Sequence, residues 1–161
     1  MAEDSAPHGT APIQPESVSD ATLRGLIGYS MKRAFMVIRA DLARTLEPFE
    51  LRMMTFTALT LVADNPGLSQ SQLAQAMAVE RPNLVVIVDE LETRGLITRD
   101  RVPTDRRTYA LHITSEGAQL LARATRAVHQ HENGIMGKLT AEEEAALIAT
   151  LKRIEASGGR S

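Results

Sequence analysis

Four arginines fall within nine positions of one short stretch, RDRVPTDRRTYALHIT, residues 99–114. A planar guanidinium can donate two parallel hydrogen bonds to a phosphate or to the edge of guanine, which an ammonium does not match. The runs LITRDR and TYALHI read as two short strands, and VPTDR between them reads as a hairpin turn stiffened by Pro103. A hairpin is thin enough to place an arginine in the minor groove of a duplex, where narrow tracts concentrate negative potential. Arg106, at the tip, is the candidate for insertion. Arg99 and Arg101 sit lower and are candidates for phosphate contacts. Asp105 would oppose a duplex on its own, and is expected to accept hydrogen bonds from the tip backbone or from Arg107. The competing account is an ordinary solvated hairpin, against which stands the convergence of four like charges.

A second set of candidate groups lies just upstream, in ERPNLVVIVDELETRG, residues 80–95. Helical spacing puts Leu84, Ile87, Val88 and Leu91 on one face. It puts Pro82, Val86, Asp89 and Thr93 on the other, with Asn83 and Val85 at the flanks. Arg81 and Asn83 lie at the N-terminal end. Asparagine can pair bidentately with adenine and arginine with guanine, while Pro82 and Val86 could touch thymine methyl groups. The alternative for Val85 and Val86 is packing against the hairpin. Ser69 and Ser71 open the preceding segment, where hydroxyls and free N–H groups could take a phosphate; capping alone explains Ser69 equally well.

Other chemistries find little support. The chain has no cysteine, which removes disulfides, thiolate metal sites and thiol nucleophiles together. There is no glycine-rich phosphate loop, no GxSxG, no HExxH and no pair of acids with an evident site. No catalytic residue, cofactor or metal is therefore expected. His129 and His131 are two apart, which separates them on a helix, so they are not read as metal ligands.

These groups must be held by helices. Apolar residues recur from Asp20 to Leu46 in one long helical pattern. EPFE then opens a second helix, with Pro48 at its first position and Glu50 in its first turn. Leu51, Met54, Ala58, Leu61 and Val62 form its stripe, and DNPG at 64–67 stops it. Ser69 and Gln72 make a capping box for a short third helix ending near Met77. A fourth helix runs from about Glu80 to Arg94, ended by Gly95 as a left-handed cap. After the hairpin, Thr114 caps a fifth helix whose buried side carries Gly117, Leu120, Leu121, Ala124, Val128 and Ile135. Thr140 with Glu143 caps a sixth, with acids in its first turn and bases in its last. Two helices across a tight turn, followed by a two-stranded hairpin, make a winged helix-turn-helix. The fold class is thus mainly α with a small β-hairpin wing.

Size and charge agree. The chain has 161 residues and a formal net charge of -2, with 43% hydrophobic residues, enough for one core. The acids gather at the ends: residues 21–139 hold 15 basic and 12 acidic residues, a net of +3. Arginine outnumbers lysine 15 to 3, a ratio that base composition of the gene could also produce. Residues 1–19 are rich in Pro, Ser, Ala and Gly and read as a disordered arm, with neither a basic start nor an apolar run of a secretion signal. No apolar run approaches the ~20 residues a membrane span needs. A cytoplasmic location, with association to the nucleoid when bound to DNA, is expected. Residues 157–161 read as a flexible tail.

With the elements placed, LAQAMAVERPNLVVIVDELETRGLITRDRVPTDRRTYALHITSEG, residues 73–117, resembles the MarR (multiple antibiotic resistance regulator) family. The "DRR" at 105–107 leading into "ITSEG" carries most of the likeness, and the helical order matches from about residue 20 to 156. The family's second helix often begins with a threonine cap, where this chain has Glu47. The resemblance implies a homodimer, with 20–47 and 114–156 as the helical dimerisation region and 48–113 as the DNA-binding lobe. It implies a transcription regulator, usually a repressor, that binds a pseudo-palindromic duplex and is released by a small ligand. It also implies that Asp89 pairs with Arg107 to fix the wing. Finally it implies an effector pocket, for which Tyr29, Arg33, Met36, Arg39, Met53 and Phe56 are the candidates. An aromatic or phenolic acid, or its coenzyme A thioester, is the ligand class that family habit suggests. The alternatives are an activator of the same family and a winged helix used for protein contact without DNA.

Overall fold

The computed structural model describes residues 18–102, 105–137 and 139–158, with the side chains of 102, 105–108, 133, 135 and 136 outside that description. The expected arm at 1–19 lies outside it except for Val18 and Ser19. So do Pro103 and Thr104 of the hairpin tip and the tail from 159. The chain divides into two units, Met1–Met36 and Val37–Ser161.

The first unit holds α1 (Ala21–Arg24) and the start of α2 (Ile27–Leu46). The sequence pattern predicts one helix from Asp20, and the structure breaks it at Gly25. Gly25 and Gly28 weaken helix propensity there. Side chains stabilise the break: Asp20 accepts from Arg24 Nε at 2.9 Å and from the Tyr29 hydroxyl at 2.8 Å. Ser30 Oγ donates to the Arg24 carbonyl left without a helical partner, at 3.1 Å.

The second unit continues α2 and adds α3 (Met53–Asp64), β1 (Leu68–Ser69), α4 (Gln70–Ala76), α5 (Arg81–Thr93), β2 (Ile97–Val102), β3 (Asp105–Ile113), α6 (Ser115–Met136) and α7 (Ala141–Gly158). The expected helical start at Pro48 is corrected. Glu47–Phe49 is a single 3-10 turn, ended by Glu50 in the left-handed region at φ 53°. That reversal lets Leu51 drop into the core before α3 begins at Met53. The bases expected in the last turn of α7 lie earlier, because that helix runs on to Gly158.

The capping chemistry read from sequence is present. Ser69 Oγ accepts from the Gln72 amide while Gln72 Oε1 accepts from the Ser69 amide, which starts α4. Thr114 Oγ1 accepts from the Gly117 amide at 3.0 Å and starts α6. Gly95 takes φ 68° after α5, as a left-handed cap does. Gly117 answers a different need, since a Cβ there would lie 2.1 Å from the Leu96 carbonyl oxygen.

The strands form one antiparallel sheet in the order β1-β3-β2. Leu68 pairs with Leu111, and Ile97 through Arg101 pair with Ile113 through Tyr109. The core lies between α3, α4, α5 and the base of this sheet. Leu59, Leu73, Leu84, Leu91, Ile97 and Leu111 are fully buried in it, each contributing about 2 kcal/mol of apolar burial.

Candidate functional site

The two halves of the candidate nucleic-acid surface are α5 and the hairpin β2–β3. On α5, Leu84, Ile87, Val88 and Leu91 are buried, so the opposite face turns outward. Arg81, Pro82 and Asn83 are exposed at its N-terminal end, and Val86 is 63% exposed. Large aliphatic side chains left open to water beside an asparagine and an arginine suit contact with base edges and methyl groups.

Arg81 also reaches back across the turn. Its Nη2 donates to Ser71 Oγ at 2.7 Å, which joins the N-terminal ends of α4 and α5. Ser69, Gln70, Ser71, Arg81, Val85 and Tyr109 surround a concavity of about 350 Å³ there. Ser69 is engaged as a helix cap, whereas Ser71 is exposed. Tyr109 was missed from sequence. Its place follows from the register, which sets it opposite Arg101 on the same sheet face as Leu111.

That alternation also sets the surroundings of Arg99, a residue expected to meet phosphate. Ile97, Arg99 and Arg101 share one face, and this face packs Ile97 into the core. Arg99 is thereby turned toward α5, where its Nη2 pairs with Asp89 and with Glu92 Oε2, the latter at 2.8 Å. Its side chain is only 19% exposed. Through its Nη2, Arg99 thus ties the wing to α5. This is the role expected of Arg107, whose side chain lies outside the described residues, as do those of Asp105 and Arg106. Arg101 is exposed one step nearer the tip.

Two further arginines tie α5 to the segment before α3. Arg94 donates to the carbonyls of Glu50 and Phe49, at 2.6 and 3.1 Å. These are acceptors that the broken helix leaves unpaired. Arg52 pairs with Glu90. Neither contact has a sequence signal, because both depend on the 3-10 turn.

A separate cavity of about 300 Å³ lies between α2, α3 and α6. Met53 and Phe56 line it, together with Ile38, Leu42, Thr57 and Val128. Arg39 does not line it. Tyr29, Arg33 and Met36 belong to the first unit, where the Tyr29 hydroxyl is engaged by Asp20. The polar lining comes instead from Asp41, Thr45, His131 and Glu132. Asp41 is 7% exposed; its Oδ1 accepts from Arg44 Nη2 at 2.7 Å, and its Oδ2 lies 2.6 Å from His131 Nδ1. A lone acid on the apolar face of Ile38, Leu42 and Thr45 was the available signal for it.

Comparisons with known proteins agree with this architecture. Residues 51–108 match the sequence model of the MarR family. A protein of Thauera aromatica assigned to transcriptional regulation of the hcr operon is 40% identical over 134 residues, 83% of this chain and 81% of that protein. The transcriptional repressor CouR bound to a 23-mer DNA duplex is 35% identical, with a TM-score of 0.82 over 86% of this chain and 98% of that one. CouR bound to p-coumaroyl-CoA is 33% identical, with a TM-score of 0.77 over 86% of this chain and 97% of that one. The wing, the helix-turn-helix before it and these likenesses together establish that the chain belongs to the MarR family, whose members are transcriptional regulators and not enzymes.

Proposed function

We propose that this protein is a repressor that binds a pseudo-palindromic DNA operator as a homodimer and is released by an aromatic acyl thioester. The observation that carries the reading is the union of α5 and the wing through Arg99. It holds the exposed Arg81, Pro82, Asn83 and Val86 beside an arginine-bearing hairpin. In this reading α5 enters the major groove and Arg106 the minor groove, while Arg81, Arg101 and Ser71 meet the backbone. The neighbour CouR, seen on a DNA duplex, supports the DNA half of the reading. CouR seen with p-coumaroyl-CoA supports the ligand class.

Dimer formation is supported by apolar surface that a monomer would leave wet. Leu147, Ile148, Leu151 and Ile154 on α7 are 39–45% exposed at helical spacing. In the first unit Leu26, Ile27 and Phe35 are 49–73% exposed. Two-fold symmetry then sets half-sites about one helical turn apart, ~10 bp.

Release follows from the position of α3. Its Met53 and Phe56 line the cavity, and the residue before it, Arg52, holds Glu90 on α5. A ligand that displaces α3 therefore moves the recognition helix. Activity of this kind belongs in the cytoplasm and at the nucleoid, and no described helix is long and apolar enough to cross a membrane.

The test is a gel shift with the DNA upstream of the protein's own gene. A retarded band that disappears on addition of p-coumaroyl-CoA or a related aryl thioester is expected. Absence of any retarded band at low salt would overturn the DNA assignment.

A further inference from the structure

The middle of the outward face of α5 is apolar. Val86 is 63% exposed, more than any other large apolar side chain described in the second unit. A single wet valine is ordinary, but this one has company. Pro82 and Val85 are exposed too, and residues three and four apart are neighbours on a helix surface. Together they form one apolar patch on the N-terminal half of α5, turned away from the buried Leu84, Ile87, Val88 and Leu91. The charges around the patch are compensated. Asp89 and Glu92 pair with Arg99, Glu90 pairs with Arg52, and Arg81 Nη2 donates to Ser71 Oγ at 2.7 Å.

The patch is also stiff. Pro82 stands in the first turn with its ring closed on the backbone. A helical valine keeps one side-chain rotamer in ~90% of cases, so Val86 presents a fixed shape. That shape offers no hydrogen bond and cannot read donors and acceptors. Among the groups that base pairs expose in the major groove, the C5 methyl of thymine is the apolar one. Cytosine and uracil carry hydrogen at that position. 5-Methylcytosine carries the same methyl in the same place. Asn83, exposed at the flank, keeps a polar reader beside the patch, suited to adenine.

We propose that Val86, flanked by Pro82 and Val85, is a methyl reader: it selects its base pair by packing on a pyrimidine C5 methyl and not by hydrogen bonding. The inference rests on the reading of α5 as the helix that enters the major groove. It adds that 5-methylcytosine can stand in for thymine at the base Val86 meets. Methylation of a cytosine at that place therefore strengthens binding.

The test is an anisotropy titration of the full-length protein with the duplex upstream of its own gene, made once with thymine and once with deoxyuridine at every thymine. The exchange removes methyl groups and leaves every base-pair hydrogen bond and every phosphate in place. Wild type should bind the uracil duplex roughly tenfold more weakly, a few-fold for each methyl buried in a half-site. Val86→Ala, a change at an exposed position outside the core, should bring the two duplexes to within about twofold. Asn83→Ala should weaken both duplexes alike and keep their difference. Single uracil exchanges then locate the thymine that matters. There, a 5-methylcytosine–guanine pair should bind a few-fold more tightly than a cytosine–guanine pair with wild type, and equally with Val86→Ala. Equal binding of the thymine and uracil duplexes by wild type overturns the methyl reader while leaving the DNA assignment standing. So does a difference that survives Val86→Ala, or the lack of any gain from 5-methylcytosine. If wild type binds neither duplex at low salt, the DNA assignment itself fails and this inference falls with it.

Discussion

Arg99 shows how one side chain can decide the electrostatics of a surface. Without it, Asp89 and Glu92 would stand as two uncompensated acids on the side of α5 proposed to face the duplex. With it, they hold the wing. Arg99→Ala should therefore weaken DNA binding in two ways, by repulsion and by freeing the wing, with a combined loss of about tenfold or more at low salt. Anisotropy titration of a labelled duplex against wild type measures it, and the deficit should shrink as salt screens the two acids. The Asp20 cluster gives a different test. Tyr29, then Arg24, hold the Asp20 carboxyl below its usual value of 3.8, and Asp20 raises the Tyr29 phenol above 10.0. A depressed carboxyl contributes above its unfolded pKa, and that contribution is lost as pH falls through the lowered value. A raised phenol contributes below its unfolded pKa, and that contribution is lost as pH rises through the raised value. The cluster thus holds between those limits. In a Tyr109→Phe background, tyrosinate absorbance should rise only above pH 10, and Asp20→Ala should move that rise down toward it. A Tyr29 titration unaffected by Asp20→Ala would contradict the contact.

At the scale of elements, the junction between β2 and α6 leaves no room for a side chain at Gly117. Gly117 sits so close to Leu96 that an alanine Cβ would meet the carbonyl oxygen at 2.1 Å, and the Thr114 amide donates to that same oxygen at 3.0 Å. Gly117→Ala should cost about 1–3 kcal/mol as the helix is pushed off the sheet, seen as a lower urea midpoint with unchanged slope. The sequence made this junction visible in part: Thr114 was legible as a cap and Gly117 as buried, but not the backbone approach that demands a glycine. The same division runs through the molecule. Local signals placed α4, α5, the hairpin and α6, because caps, apolar stripes and left-handed glycines act within a few residues. The break at Gly25 and the 3-10 turn at Glu47–Phe49 were read as helix. Each depends on side chains reaching over longer distances, Tyr29 to Asp20 and Arg94 to Phe49 and Glu50. The outward face of α5 was legible from its period. The contact of Asp89 with Arg99 was not, since it follows from which face of β2 enters the core. Met53 and Phe56, which line the cavity between α2, α3 and α6, were named from sequence, while Asp41 and His131 require α2 and α6 to be brought side by side.

In the proposed reading three functions are joined through short mechanical links: apolar helix faces would bring two copies together, α5 and the wing would meet the duplex, and α3, which lines the cavity and precedes the Arg52–Glu90 pair, would stand between ligand and α5. The chain is slightly acidic overall, yet Arg81 and Arg101 are exposed where, in that reading, phosphate would lie. In this reading α5 and the wing grip DNA as one unit. Fluorescence anisotropy at several salt concentrations tests it, with the upstream duplex and with wild type, Arg81→Ala and Arg106→Ala proteins shown by circular dichroism and sedimentation to fold and assemble alike. Each variant should bind about tenfold or more weakly than wild type, with a salt dependence reduced by roughly one phosphate contact where the lost arginine met the backbone. Undiminished affinity and an unchanged salt slope in both variants would contradict it.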